Sequence, residues 1–125
     1  MISEVVELRA RLKEILLEYL GSLKVRIDKA SNFEICGTIK AKQGAKVVDG
    51  IYFASLVPKH KDVRFYFYPA YSHSDQFDNL SQTLTMFKKG KSCFHVKFLN
   101  EELETELKEM ISKGILLYQK DGLLQ

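Results

Sequence analysis

Nowhere in this chain of 125 residues does an apolar run approach the ~18 residues that a membrane-spanning helix requires. Nor does the segment after Met1 show a basic stretch, a long apolar core or a small-residue cleavage site. A membrane anchor and secretion are therefore not expected, and the cytoplasm is the expected location. Only two prolines interrupt the sequence, and 46% hydrophobic against 28% charged residues places it with globular rather than disordered chains. Two cysteines, Cys36 and Cys93, do not make a disulfide framework. Their pairing is open in principle, but a leaderless chain more often keeps such thiols reduced and packed. Spaced ligand sets such as Cys-x-x-Cys or His-x-x-x-His do not occur. The net charge of +3 falls well short of the concentrated charge of a dedicated nucleic-acid binder.

What is present is a chain of one-domain length, 1–125, able to bury roughly two thirds of its unfolded surface without disulfide or metal. From Ser3 to Leu20 the residues Val5, Leu8, Leu12, Ile15, Leu16 and Tyr19 recur at helical spacing and gather on one face. Ser3 reads as the N-cap and Gly21 as the stop. After Gly21 the period changes to two: Leu23, Val25 and Ile27 alternate with Lys24, Arg26 and Asp28. Further strands are expected over Phe33–Thr38, Ile51–Val57, Val63–Tyr68 and Cys93–Phe98, with Lys40–Gly44 a loop and Pro58–Asp62 a tight exposed connection. The segment from Pro69 to Leu80 reads as irregular, followed by a short helix around Leu84 and Phe87. Asn100 caps a final helix whose core stripe is Leu103, Leu107, Met110 or Ile111, Gly114 and Leu117. Helix, run of strands, helix predicts an α+β domain with a mostly antiparallel five-stranded sheet and an N-terminal and a C-terminal helix packed against it.

Three segments are distinctive: Tyr52-Phe53-Ala54-Ser55-Leu56, Arg64-Phe65-Tyr66-Phe67-Tyr68-Pro69-Ala70-Tyr71, and Gly90-Lys91-Ser92-Cys93-Phe94-His95-Val96-Lys97. In their order and spacing, together with Leu103, Leu107, Gly114 and Tyr118, the chain resembles the YdhG-like bacterial domains of unknown function. The resemblance covers nearly the whole sequence. It implies a small intracellular α+β fold similar in outline to frataxin, and an iron-chaperone role has been proposed for some members.

Gly90-Lys91-Ser92 is similar to the end of a phosphate-binding P-loop, but Thr85 stands where the first glycine belongs and a strand follows instead of a helix, so nucleotide hydrolysis is rejected. A looser anion site remains, because a glycine turn with Lys88, Lys89 and Lys91 can present amides and ammonium groups; the bland alternative is a solvated turn. Period-two geometry puts Cys93, His95 and Lys97 on one strand face and Phe94, Val96 and Phe98 on the other. If that strand lies beside Val63–Tyr68, then Tyr66, Tyr68, Cys93 and His95 line one shallow pocket, with Lys91 and Ser92 holding an anionic group. A cysteine–histidine nucleophile is the sharper reading of the same residues, but no orienting acid is identifiable and a packed thiol with a hydrogen-bonded imidazole is the commoner outcome.

For metal, the residues to consider are His60, His73, Asp75, Asp78, Cys36, Cys93 and His95. Iron handling of the frataxin kind would instead use an exposed acidic ridge, for which Glu4, Glu7, Glu14 and Glu18 on the first helix are the candidates. Arg11 stands among them, so intrahelical pairs such as Glu7 with Arg11 are the alternative account. The acids Glu101, Glu102, Glu104, Glu106 and Glu109 are explained by helix polarity and solvation. The remaining lysines, Lys24, Lys40, Lys42, Lys46, Lys59 and Lys61, are scattered among aromatics that could stack on bases but read first as core, and with no RNA-recognition signature present nucleic acid is not an expected partner. The expectation is a non-catalytic binding module for a small anionic ligand. Iron binding through the first-helix carboxylates and a protein-interaction role are the alternatives.

Overall fold

A computed structural model describes all residues, 1–125. Helix α1 (Val5–Leu17) leads into strands β1 (Leu23–Lys29) and β2 (Asn32–Gly37), a small hairpin β3 (Ala41–Gln43) and β4 (Lys46–Val48), then β5 (Tyr52–Pro58) and β6 (Val63–Phe67). A one-turn helix α2 (Pro69–Ser72), a 3-10 turn (Ser74–Phe77) and α3 (Gln82–Phe87) precede β7 (Cys93–Val96) and the long helix α4 (Glu101–Lys120). The main sheet runs β1-β2-β5-β6-β7, every neighbouring pair antiparallel, so strand order follows chain order once β3 and β4 are set aside. This is the expected α+β architecture, with the N-terminal and C-terminal helices on one face of a five-stranded sheet. No helix is long and apolar enough to cross a membrane.

One contiguous cluster of 28 buried residues fills the space between that face and the helices. Leu12, Ile15 and Leu16 of α1 meet Leu107 and Ile111 of α4 over Leu56 and Phe65 of the sheet. Across the strands the inward row reads Phe33, Leu56, Phe65, Phe94 in direct register. Burying such side chains stabilises by roughly 1.5–3 kcal/mol each before entropy is counted. Gly114 lets α4 approach closely: a Cβ there would sit 2.8 Å from Phe67 Cζ and 3.0 Å from Pro69 Cγ.

Some expectations shift. The first helix begins after Glu4, not Ser3, and Glu4 at the N-cap makes no side-chain hydrogen bond; the helix ends at Leu17, ahead of Gly21 (φ +130°). The Lys40–Gly44 loop is in fact half of the β3–β4 hairpin, turned at Gly44 (φ +63°). Its strands are only three residues long and carry little apolar alternation, which is why pattern alone missed them. The irregular segment after Pro69 contains α2 and the 3-10 turn. The last strand stops at Val96 because Phe98 turns away to pack edge-on against Phe87, and Leu99 bridges to Ile2. On α4 both Met110 and Ile111 are buried, and Tyr118, not Leu117, completes the interior stripe. Asn100 caps α4 as expected, its Oδ1 accepting from Leu103 N at 2.9 Å.

Candidate functional site

The two long helices pack on the core face; the second face keeps contact with solvent at half-buried Tyr66, Cys93 and His95, while Cys36 and Ser55 on it are buried. Strand alternation places Arg64 and Tyr66 of β6 there, opposite His95 and Cys93 of β7 respectively. Beside them on β5, Ser55 stands opposite Tyr66, and Glu34 on β2 stands opposite Ser55. A β-bulge at Phe53 breaks the alternation: the register steps from Ile35↔Ala54 to Cys36↔Tyr52. The extra residue lets Phe53 turn inward, edge-on to Phe67 and Tyr118, while Tyr52 and Ser55, three apart in sequence, share the open face with their hydroxyls 2.6 Å apart. Burial pushes the Tyr52 phenol up to about 12.

At one end of the face a buried carboxylate organises the cations. Asp62 accepts from Arg64 Nε at 2.8 Å, and its other oxygen lies 3.9 Å from His95 Nδ1, too far for a hydrogen bond. His95 titrates below its ordinary value, first because it is desolvated and then because Arg64 stands opposite, with Lys89 and Lys97 adding to the effect. Burial pushes the Cys93 thiol up, against a smaller opposing pull from Tyr66 and Arg64. A catalytic thiolate–imidazolium pair needs both shifts in the reverse direction: a lowered thiol and a raised imidazole. The acid that sequence reasoning did not find is Asp62, hidden in what looked like an exposed turn, but Arg64 holds its near oxygen. Cys93 and His95 are thus half-buried groups, each shifted away from a thiolate–imidazolium pair.

At the other end three tyrosines form a row. Tyr52 and Tyr68 have ring centroids 5.7 Å apart, Tyr68 and Tyr71 5.6 Å, and Lys91 Nζ lies 5.5 Å over the Tyr71 ring. Tyr71, Ser74, Lys88 and Lys91 line an open groove of about 260 Å³. The expected single pocket is therefore two neighbouring regions. Tyr66, Cys93 and His95 sit together on the strands, whereas Lys91 turns to the groove beyond Tyr68. The backbone of Ser92 continues the β6–β7 pairing, its carbonyl accepting from Phe67 N at 2.8 Å. Tyr71, Ser74 and Lys88 were missed as partners of Lys91 because α2 and the 3-10 turn bring them there, and neither was legible in the pattern.

The remaining candidates are dispersed. Cys36 and Cys93 are both free, on strands three intervals apart, roughly 14 Å at sheet spacing and far beyond disulfide reach. No three His, Cys, Asp or Glu side chains converge to hold a metal ion. On α1, Arg11 turns to Glu104 of α4 at 2.7 Å and to Glu14 at 3.5 Å, so the expected Glu7–Arg11 pair does not form, and Glu18 pairs with Lys108 at 3.6 Å. His73 belongs to a separate polar chain: its Nδ1 meets Ser72 Oγ at 2.9 Å, its Nε2 meets Asp121 at 2.6 Å, and Ser72 Oγ meets Tyr118 Oη at 3.0 Å. These are the residue types of a hydrolytic triad. No cavity is lined by Ser72 or His73, so this chain serves as a latch between α2 and the end of α4.

The fold and this face define an α+β domain with an open, aromatic and basic sheet surface. Comparison with protein-family models, curated proteins and solved structures found no match to the chain.

Proposed function

We propose that the protein is a non-catalytic binding module whose open sheet face takes a small anionic ligand. The observation that carries the reading is the groove of Tyr71, Ser74, Lys88 and Lys91, which sets two lysines and a hydroxyl against an aromatic wall. An anionic group rests between Lys88 and Lys91, and the row Tyr71, Tyr68 and Tyr52 receives the rest of the ligand. Tyr66, Ser92, Cys93 and His95 border this path. The thiol of Cys93 pushed up by burial and the imidazole of His95 pushed down by burial support binding over nucleophilic chemistry. Two free thiols fit a reducing compartment, so a cytoplasmic location belongs to the same proposal. So does membership of the YdhG-like group, which rests on the sequence motifs.

Thermal denaturation with inorganic phosphate and pyrophosphate tests it. A ligand at about 100 times its dissociation constant adds ~2.7 kcal/mol, enough to raise the midpoint by several degrees. The expected result is stabilisation by the anion that is lost in Lys91→Ala. Stabilisation by ferrous iron alone, lost in Glu14→Lys with Glu18→Lys, would replace the reading with the iron handling that the resemblance implies.

A further inference from the structure

The lysines and arginines are scattered along the sequence but not in space. Residues 22–99 hold thirteen Lys/Arg against six Asp/Glu, a net of +7, while residues 1–21 and 100–125, which supply α1 and α4, hold six against ten, a net of −4. The segment that builds the sheet and the two segments that supply the long helices therefore carry net charges of opposite sign. On the open face the excess is local. Lys24 stands opposite Cys36 at the β1 edge, Arg26 reaches Glu34, Arg64 stands opposite His95 with Lys97 just beyond the end of β7, and Lys88 and Lys91 flank the groove. The acids among them are Glu34 and Asp62, each held by an arginine at 2.6 Å and 2.8 Å. Lys24, Lys88, Lys91 and Lys97 have no carboxylate partner, while the exposed acids near this face, Asp49 and Asp75, lie in the turns beside Gly50 and Ser74.

Those cations span the sheet from β1 to β7, four strand intervals or about 19 Å. A single phosphate in the Lys88–Lys91 groove touches one end of that path and leaves Lys24 and Lys97 unused. A chain of phosphates uses all of it. Between the cations lie flat π-faces: Tyr71 is 48% exposed, and Tyr66 and Tyr68 are half-buried. Aromatic faces set in a positively charged track are what a flexible polyanion with unstacked bases requires, because each base has a ring to lay on a tyrosine and each phosphate a cation to meet. A rigid duplex hides its bases and gains nothing from Tyr71. An acidic peptide meets the cations but leaves the rings without a counterpart.

We infer that the anionic ligand of the open face is single-stranded nucleic acid, stacked on Tyr71 and tracked by Lys24, Lys88, Lys91 and Lys97. This rests on the reading of the open face as an anion site and extends it to a polymer.

The test is fluorescence anisotropy with a labelled oligo-uridylate about twelve nucleotides long, within the range a single sheet platform covers. Binding is expected to weaken steeply between about 50 and about 200 mM salt, with a slope of roughly −0.7 per phosphate neutralised, and the slope should flatten in Lys24→Glu and Lys97→Glu. Both lysines are exposed and remote from the groove, so phosphate stabilisation should survive these substitutions. Tyr71→Ala should lower affinity ~5- to 150-fold, the worth of one stacked base. Lys120→Glu, on the helical layer, should change nothing. Oligonucleotide left unbound while phosphate still stabilises through Lys91 overturns the inference and spares the small-anion reading. Absence of both signals overturns both. Equal binding of duplex, or displacement of the oligonucleotide by polyglutamate as readily as by unlabelled oligo-uridylate, shows that bases are not stacked and overturns the inference in favour of a general polyanion or acidic partner.

Discussion

On the covered face of the sheet Phe65 lies between Phe67 and Phe94, 1% exposed, under the helices; on the open face its neighbour Tyr66 stands beside Cys93 and Arg64 and keeps contact with solvent. The division runs through the whole molecule. Seven of the eight phenylalanines are buried in the core, while four of the six tyrosines, Tyr52, Tyr66, Tyr68 and Tyr71, lie on or beside the open face. The difference is one hydroxyl per ring, and its physical consequence is large, since a buried phenol must find a partner while an exposed one finds water. Tyr118 is the exception that fits the rule: it is fully buried, and its hydroxyl meets Ser72. One face is thus built for stability. The other carries aromatic rings and charge in contact with solvent.

The contrast predicts unequal losses. Phe65→Ala should cost ~3–5 kcal/mol in urea denaturation, through lost burial and the cavity left behind, and Tyr66→Ala distinctly less. Equal losses would mean that the open face is as tightly packed as the covered one. Gly114→Ala should cost ~1–3 kcal/mol, because the new methyl meets Phe67 at 2.8 Å; no change would show that α4 can shift without penalty.

Glu104→Gln tests the join between α1 and α4 by its pH dependence. The hydrogen bond from Arg11 holds the Glu104 carboxyl below the usual carboxylate range. A depressed carboxylate contributes its stability above the unfolded value and loses it as pH falls through the folded one. The wild type should therefore exceed Glu104→Gln by ~1 kcal/mol or less at pH 7, and the gap should close in acid. A gap that persists at low pH would assign the effect to packing. The smallest effect expected is kinetic: at neutral pH Cys93 should alkylate more slowly than a free thiol, since burial raises its titration. Faster reaction would identify a thiolate and reopen the catalytic reading of the open face.

Much of the fold was legible because long elements repeat their signal. The stripe from Leu8 to Leu16, the alternation from Val63 to Phe67 and the Asn100 cap each have several residues saying the same thing. The open face was legible in part. Tyr66, Cys93 and His95 share it as period-two reasoning required, and their strands are neighbours. What escaped was non-local or out of phase. The bulge at Phe53 put Tyr52 and Ser55 on one face at a spacing that alternation forbids. Short α2 brought Tyr71 to Lys91, and Asp62 reached Arg64 and His95 from a turn.

By itself, then, the sequence determined the class of fold, the inward side of Phe94 and Val96 and the start of the last helix, because periodicity and capping are local and each residue reads its own neighbours. Only the tertiary structure decided which charges share a surface. Lysines spread from Lys24 to Lys97 and carboxylates spread along two helices 93 positions apart, as Arg11 and Glu104 are, become opposite layers only when the sheet stacks against the helices. Burial then sets the titration of Cys93 and His95, and burial is a property of the assembled fold that no local pattern of residues carries.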